Sequence, residues 1–589
     1  MGFVRVVNMM PASLSGETNQ DSEPNLAVNP ERPTDIVATA FTPDPAGGAF
    51  APIYVSTDGG RTWVLRNVIP GGSMTRDITV GFSTTGGVLY AGVILQNSVR
   101  MQILRTPTFA ATTPMTVLVN RDLEDQPWVV AGSVVINGRS VDRVYVGNRD
   151  AQPRPAVGAV AAVDVSLDAA TAPAPAGFRE TPLGLRRGPF SLPPTRLAIH
   201  PDGTVYAAFI HCTRQFGDGN NMDFHVVVRR DDNWGDNVDP FSDLRRPFQK
   251  TPGVVADIGF ARFNDTMGQE RIGADLAIAV DPTDSSTVYV ASCIRGGESS
   301  TDWRLSVRRS TDRGQEWEFV REIGPTVKNP ALAVNAEGRV GLAYQELTGG
   351  QWVTRLELTR SAWANPPETK VLHQAPSGTP ARAFFPYIGD YIRLIAVGND
   401  FYGVFSGNNT PDLANFPSGV SYQRSADFTN RVLLRTDGVT PVAPSIDPFF
   451  FHWSRTKQTE TKPGLTKAEA DTPPKSIKSE TKETVETKPG LTKAEADTPP
   501  KSVKAETKEL SDTKPGIGKA ELDLPPKSAF EHGPKGVPHG VPEAFASLLL
   551  KLSQRVEVLE GQVAQGRAFI RPEERPDVGP AHDDPSADE

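Results

Sequence analysis

One phrase recurs seven times between residues 24 and 406: an apolar run, a turn rich in Pro, Asp, Asn or Gly, and a second apolar run. Its copies are "PNLAVNPERPTDIVATAF" from Pro24, "DITVGFSTTGGVLYAGV" from Asp77, "QPWVVAGSVVINGRSVDRVYVGN" from Gln126, "TRLAIHPDGTVYAAF" from Thr195, "ADLAIAVDPTDSSTVYVAS" from Ala274, "PALAVNAEGRVGLAYQE" from Pro330 and, more loosely, "GDYIRLIAVGNDFYGVFS" from Gly389. Each reads as a β-hairpin: short runs of Val, Ile, Ala and Tyr bounded by turn residues. Many positions are apolar consecutively rather than alternately, which predicts strands covered on both faces. Further strands follow the hairpins, as in "FAPIYVSTD", "DFHVVVRRD" and "WRLSVRRSTD". Two strands plus two make a four-stranded sheet. Such sheets, repeated every 50 to 80 residues or so with almost no helix between, describe an all-β propeller. Seven phrases favour seven blades; six is the alternative if one phrase is an insertion. "VAPSIDPFFFHW" at 442–453 reads as the closing strand.

Two of the strands following a hairpin run into nearly the same letters, "STDGGRTW" from Ser56 and "STDRGQEW" from Ser310. Asp58 and Asp312 can accept hydrogen bonds from backbone N–H groups in a turn. Gly60 and Gly314 permit positive φ, and Trp63 and Trp317 can cover the turn with apolar area. Weaker versions stand at "RSADFTN", with Ser425 and Asp427, and at "RRDDNW", with Asp232 and Trp234. The motif resembles the Asp-box, or bacterial neuraminidase repeat, of sialidase-like propellers, and the resemblance covers roughly residues 20–450. In that family the box lies between the outer strands of a blade, away from the active centre. It therefore speaks for fold more than for chemistry.

Sialidase chemistry would need an Arg triad led by an Arg-Ile-Pro motif, a Tyr nucleophile activated by Glu, and an Asp acid/base. Arg forks suit a carboxylate, and a Tyr needs a nearby base because its free pKa is about 10. This chain has no Arg-Ile-Pro. Arginines at strand ends are Arg76, Arg149, Arg196, Arg271 and Arg393, and the one close Tyr–Glu pair in a late phrase is Tyr344 and Glu346. Residues two apart on a strand share a face, so that pair could project together. For calcium, "GDGNNMD" offers Asp218, Asn220 and Asp223, without EF-hand spacing. Otherwise no cofactor is expected, and no phosphate loop or dinucleotide fingerprint is present. A formal charge of -9 without a long basic run argues against a nucleic-acid partner. Cys212 and Cys293 each end an apolar run and read as buried thiols. The first 20 residues lack the apolar core of a secretory signal, which predicts a cytoplasmic chain or export by a non-standard route. No run of about 18 apolar residues predicts a membrane span.

Beyond Ser454 the language changes. "TKPGLTKAEADTPPKS" stands at 461–476 and again at 487–502, and a diverged third copy begins at Thr513. Lys, Glu, Thr and Pro dominate, so the segment cannot bury enough apolar surface to offset its chain entropy. It reads as a spacer, in which helical turns at "LTKAEAD" would be marginal, or as a tandem docking peptide gaining avidity from its copies. A heptad seam follows: Phe545, Leu549, Leu552, Val556, Leu559 and Val563. Val at a with Leu at d points to dimers. Arg555 and Glu560, in "RVEVLE", resemble the pattern of short trimeric coiled coils, and a trimer is favoured over a dimer. The expected organisation is an N-terminal arm (1–20), a propeller (21–453), a linker (454–540), an oligomerising helix (541–565) and an acidic tail (566–589). The arrangement suits a non-catalytic module that binds a glycan or protein ligand at the propeller face and is multimerised by its stem. A sialidase-like exo-glycosidase anchored by the tail, and a structural scaffold, are the alternatives.

Overall fold

The computed structural model describes residues 2–41, 53–66, 68–70, 75–95, 100–150, 160–170, 177–185, 195–217, 221–249, 251–262, 275–295, 302–383 and 387–456, with the backbone of 466–468. The chain divides into units Met1–Ser479 and Glu480–Glu589. The second unit, where the oligomerising helix is expected and where most of the repeat tail falls, lies outside the described residues.

Each phrase forms an antiparallel hairpin, Ser22–Val28 with Ile36–Phe41 in the first and Arg393–Val397 with Asp400–Asn408 in the last. Two further strands extend each of the first six hairpins outwards in chain order. In the first sheet they are Ile53–Ser56 and Val64–Arg66, and in the sixth Gln351–Thr359 and Glu368–Pro376. A single β-bridge, Phe260 with Arg295, also joins the outer strand of the fourth sheet to the fifth. The inner strand of every sheet lies against the inner strand of the next, and Arg393–Val397 returns to Ser22–Val28, so the sheets close into a ring. The result is a β-propeller.

Consecutive apolar residues in the strands have the expected cause. The core is split into wedges between neighbouring sheets, such as Val37, Val55, Ile78 and Ala91 between the first two. Another wedge holds Leu356, Leu358, Phe401 and Phe451, between the sixth and seventh. Each sheet is therefore buried on both faces.

The ring closes differently from expectation. Ile446–Ser454 is the third strand of the last sheet, and its outer neighbour is Phe3–Asn8, paired from Phe3 opposite Ser454 to Asn8 opposite Phe449. Residues assigned to an N-terminal arm thus form a strand. Phe449, Phe450 and Phe451 are fully buried, and the N-terminal strand completes the sheet that hides them. Outside it, Val420–Tyr422 runs parallel to Phe3–Asn8, and Thr466–Ala468 pairs antiparallel with Val420–Tyr422. The three described residues of the first "LTKAEAD" are therefore strand rather than helical turn.

In such a meander the first and third strands of a sheet run the same way. The ring has one end where inner strands begin and another where third strands finish.

Candidate functional site

The end where third strands finish holds the two Ser-x-Asp-x-Gly-x-x-Trp turns. The Gly60 N–H donates to Ser56 Oγ (2.9 Å), Ser56 Oγ donates to Asp58 Oδ1 (2.9 Å), and the Arg61 and Thr62 N–H groups donate to the same oxygen (3.0 and 2.9 Å). Burial opposes ionisation of Asp58, yet hydrogen bonds from Thr62, Ser56 and Arg61 hold its carboxyl below the ordinary range. The second turn repeats the scheme: Gly314 N–H to Ser310 Oγ (2.8 Å), Ser310 Oγ to Asp312 Oδ1 (2.8 Å) and Glu316 N–H to Asp312 Oδ1 (2.9 Å). Gly60 and Gly314 have φ of +80° and +88°, and a Cβ on Gly60 would strike the Phe450 ring. Trp63 is buried edge-on against Phe450, whereas Trp317 is half-buried. At the fourth sheet the organising acceptor is Asp231 rather than Asp232, taking the Asn233 and Gly235 N–H groups (2.9 and 2.7 Å). Asp427 caps a small hairpin inserted in the last sheet.

The opposite end gathers buried polar and charged side chains. Three inner strands begin with a bulge that sets a positive-φ residue before proline: Glu23 (50°) before Pro24, Gln126 (55°) before Pro127 and Asn329 (53°) before Pro330. A bulge accommodates the missing proline N–H, and non-glycine residues at positive φ are uncommon enough to mark a special position. All three side chains are buried and polar.

The next positions converge. Arg196 donates through Nη2 to Asp275 Oδ1 (3.0 Å) and through Nε to the Leu276 carbonyl (3.1 Å). Its guanidinium carbon lies 3.7 Å from the centre of the Trp128 indole, and that of Arg393 lies 4.4 Å from the same ring. Tyr391 meets Trp128 edge-to-face at 5.7 Å. Trp128, Arg196, Asp275 and Arg393 bound a cavity of about 20 Å³, room for a water. Arg196, Asp275 and Tyr391 are buried, yet Arg196 Nη1, Asp275 Oδ2 and the Tyr391 hydroxyl have no hydrogen-bond partner. Half-buried Arg393 forms no ion pair among the described residues. Burial, with the Arg196 charge, pushes Arg393 down to about 9, and burial pushes Asp275 up to about 6 against the pull of Arg196. Tyr391 is driven well above its ordinary range by burial, then by Asp77 and Glu23. Two guanidiniums with spare donors beside a carboxylate with a spare oxygen can grip an anionic group and accept a proton-bearing hydroxyl next to it.

Of the residues expected from sequence, the fold thus brings together Arg196 and Arg393. Arg76 is exposed, Arg149 faces Asp125 (3.7 Å), and Arg271 lies outside the described residues. Tyr344 and Glu346 do not form a nucleophile pair: the Tyr344 hydroxyl donates to Glu357 (3.2 Å), while Glu346 accepts from Arg355 Nε (2.6 Å). Glu357 also takes Arg321 and the Trp363 indole N–H, which makes the group a clamp between the fifth and sixth sheets. Asp218 and Asn220 lie outside the described residues, Asp223 is paired with Arg214 (2.7 Å), and no metal-binding group of His, Cys, Asp or Glu occurs among the described residues. Cys212 and Cys293 are buried, as their apolar runs imply. No described helix is long and apolar enough to cross a membrane.

Trp128, Tyr391 and Asp275 were missed, although a signal existed. Aligning the phrases on their first apolar run gives one column immediately before it: Asn25, Asp77, Trp128, Arg196, Asp275, Ala331 and Arg393. The site is largely that column.

No family model and no curated protein matches the sequence. Solved structures show loose likenesses. YCF48 bound to a D1 peptide is 12% identical over 68% of this chain and 93% of its own, with a TM-score of 0.33. The endosialidase of phage phi92 is 11% identical over 78% and 70%, TM-score 0.36. An α-L-arabinofuranosidase from Fusarium graminearum, solved with an iminosugar inhibitor, is 10% identical over 61% and 96%, TM-score 0.37. The propeller assignment rests on the ring of sheets rather than on these scores.

Proposed function

We propose that residues 3–454 form a seven-bladed propeller that binds an acidic glycan, without turning it over, where its inner strands begin. The observation that carries this reading is Arg393: a guanidinium over Trp128, beside Arg196, with no carboxylate to balance it among the described residues. An unbalanced charge in a partly desolvated place is costly, and a ligand carboxylate would relieve it. Asp275 Oδ2 is positioned to accept from a neighbouring sugar hydroxyl. The Asp-box resemblance points to the same ligand class. The heptad helix then gathers several propellers, trimers over dimers, so that weak sites act together.

Binding is tested by calorimetry of the full chain against oligosaccharides ending in a carboxylate-bearing sugar, with neutral oligosaccharides as controls. Arg393→Gln should abolish the preference for the acidic ligand. Equal binding of acidic and neutral sugars, or an unaltered Arg393→Gln protein, would overturn the reading. Sedimentation of the full chain as a monomer would remove the multimer.

A glycosidase reading has one specific support, the unpartnered Tyr391 hydroxyl near Asp77, Glu23 and Arg196. Burial and those carboxylates raise its pKa, the opposite of what an activated nucleophile needs. Turnover of an aryl glycoside that Tyr391→Phe abolishes would reverse the preference.

A further inference from the structure

We infer that the ligand is a chain of linked acidic sugars, and that it leaves the central site along the fourth sheet, where Arg214 and Phe216 hold a second acidic unit. This deepens the acidic-glycan reading and rests on it. Strands Val205–Phe216, Asn221–Asp231 and Val254–Arg262 of that sheet rise past the level of the site. Arg196 stands opposite Ala208, and the second strand runs on from there to Phe216, roughly 25 Å at the usual rise per residue. The second strands of the neighbouring sheets stop sooner. In the third sheet Trp128 stands opposite Gly147 and the strand ends at Asp150; in the fifth Leu276 stands opposite Ser292 and the strand ends at Arg295. The fourth sheet thus forms a wall beside the place where the inner strands begin.

One face of the wall carries rings and cations that touch in sequence and lead back to the site. Arg214, Asp223 and Phe260 stand opposite one another across the three strands. Phe216 is two residues beyond Arg214 and so shares its face. The Arg214 guanidinium carbon lies 4.3 Å from the centre of the Phe216 ring, Phe216 meets Phe260 at 5.8 Å, and the Arg295 guanidinium carbon lies 5.7 Å from Phe260. Arg295 is two positions along its strand from Cys293, whose N–H donates to the Asp275 carbonyl (2.9 Å). Phe260 and Arg295 are buried and brace the outer pair. The Arg214 side chain is 66% exposed and Phe216 is half-buried, which leaves a cation on an aromatic face open to a ligand. The central site has the same device, Arg393 over Trp128. A sugar ring can pack on the aromatic face while its carboxylate takes the guanidinium.

Arg214 donates to Asp223 (2.7 Å), and both side chains are exposed, so the pair is worth little and a ligand carboxylate can share the remaining N–H groups. Arg214 stands roughly 20 Å beyond the level of Arg196, a span that several linked sugars cover and one does not. A chain held at Arg393 presents its further units to Arg214 at high effective concentration.

Calorimetry of the full chain against oligogalacturonates, from the monomer up to about eight units, tests this. Affinity should rise by about tenfold or more once the oligomer is long enough to reach Arg214, and the step should shrink in high salt. Arg214→Gln, or Phe216→Ala, should remove the step and bring long and short oligomers to nearly equal affinity. That ratio is read within each protein, so a partly unfolded preparation does not alter it. Monomer binding with no step on lengthening, or a step that survives in both variants, would overturn this inference and leave the acidic-glycan reading standing. Binding at no length would overturn both.

Discussion

Glu17→Gln should stabilise the protein, and by more as pH rises. Glu17 is buried where the first and last sheets meet, with Asp21 and Asp447 beside it and Arg424 as the neighbouring cation. The oxygens of Asp447 already take Arg424 Nη2, Asn8 Nδ2 (2.6 Å), Asn409 Nδ2 (2.8 Å) and Ser445 Oγ (2.8 Å). One oxygen of Glu17 accepts the Asn19 N–H, and the other has no partner. Burial first, then Asp21 and Asp447, push its pKa from 4.5 up to about 10. A folded pKa above the unfolded one means that the folded state binds the extra proton. The associated stability is whole below 4.5 and is lost progressively until pH passes about 10. Each pH unit in that window costs about 1.4 kcal/mol, hence about 3 kcal/mol at pH 7 and about 4 kcal/mol between pH 5 and 8. Glutamine keeps the acceptor for Asn19 and needs no proton, so the variant escapes that slope. With about 2 cal/mol/K of unfolding entropy per residue over a ring of about 450 residues, the gap in Tm should widen by about 4 °C from pH 5 to pH 8. Differential scanning calorimetry of both proteins across that range measures it. Parallel Tm–pH curves would refute the buried, protonated carboxyl.

Three further outcomes follow from the same geometry. Asp58→Ala removes an acceptor serving several donors and should cost about 1–2 kcal/mol by urea unfolding, with ligand affinity unaltered because the turn lies at the other end of the ring. Tyr344→Phe should cost about 1 kcal/mol by the same measurement and leave carbohydrate binding intact, since its hydroxyl serves Glu357 between sheets. Deleting residues 2–8 removes the outer strand of the last sheet, and the purified protein should bind a hydrophobic dye and lose its cooperative thermal transition.

The sheets were legible in the sequence because burial on both faces writes the same short apolar runs into every repeat, and punctuation such as "PDG" separates them. Phe3–Asn8 was not. Its six residues are ordinary strand letters whose partner, Ile446–Ser454, stands more than 400 positions away, and nothing local announces the pairing. The Tyr344–Glu346 pair shows a related limit. Spacing two places both side chains on one face of a strand, but the partners are chosen across the sheet and from its neighbour, where Glu357 and Arg355 stand.

The residues of the proposed site occupy an intermediate case, and it explains why the cluster was half seen. A ring of repeats turns one alignment column into one spatial circle: the residue before each apolar run sits at the start of an inner strand, and all starts meet at one end. Packing holds the three columns that follow it to Val, Ile, Leu or Ala with one Thr, whereas this one holds Asn25, Asp77, Trp128, Arg196, Asp275, Ala331 and Arg393. Divergence at a place the fold makes equivalent is what a ligand site needs and what a core forbids. Arginines alone drew attention to Arg196 and Arg393 without separating them from Arg76, which is exposed one residue before the column. The column makes that separation, and it adds Trp128 as the surface on which both guanidiniums lie. Trp128→Ala should accordingly weaken acidic-ligand binding as severely as Arg393→Gln does, although it removes no charge.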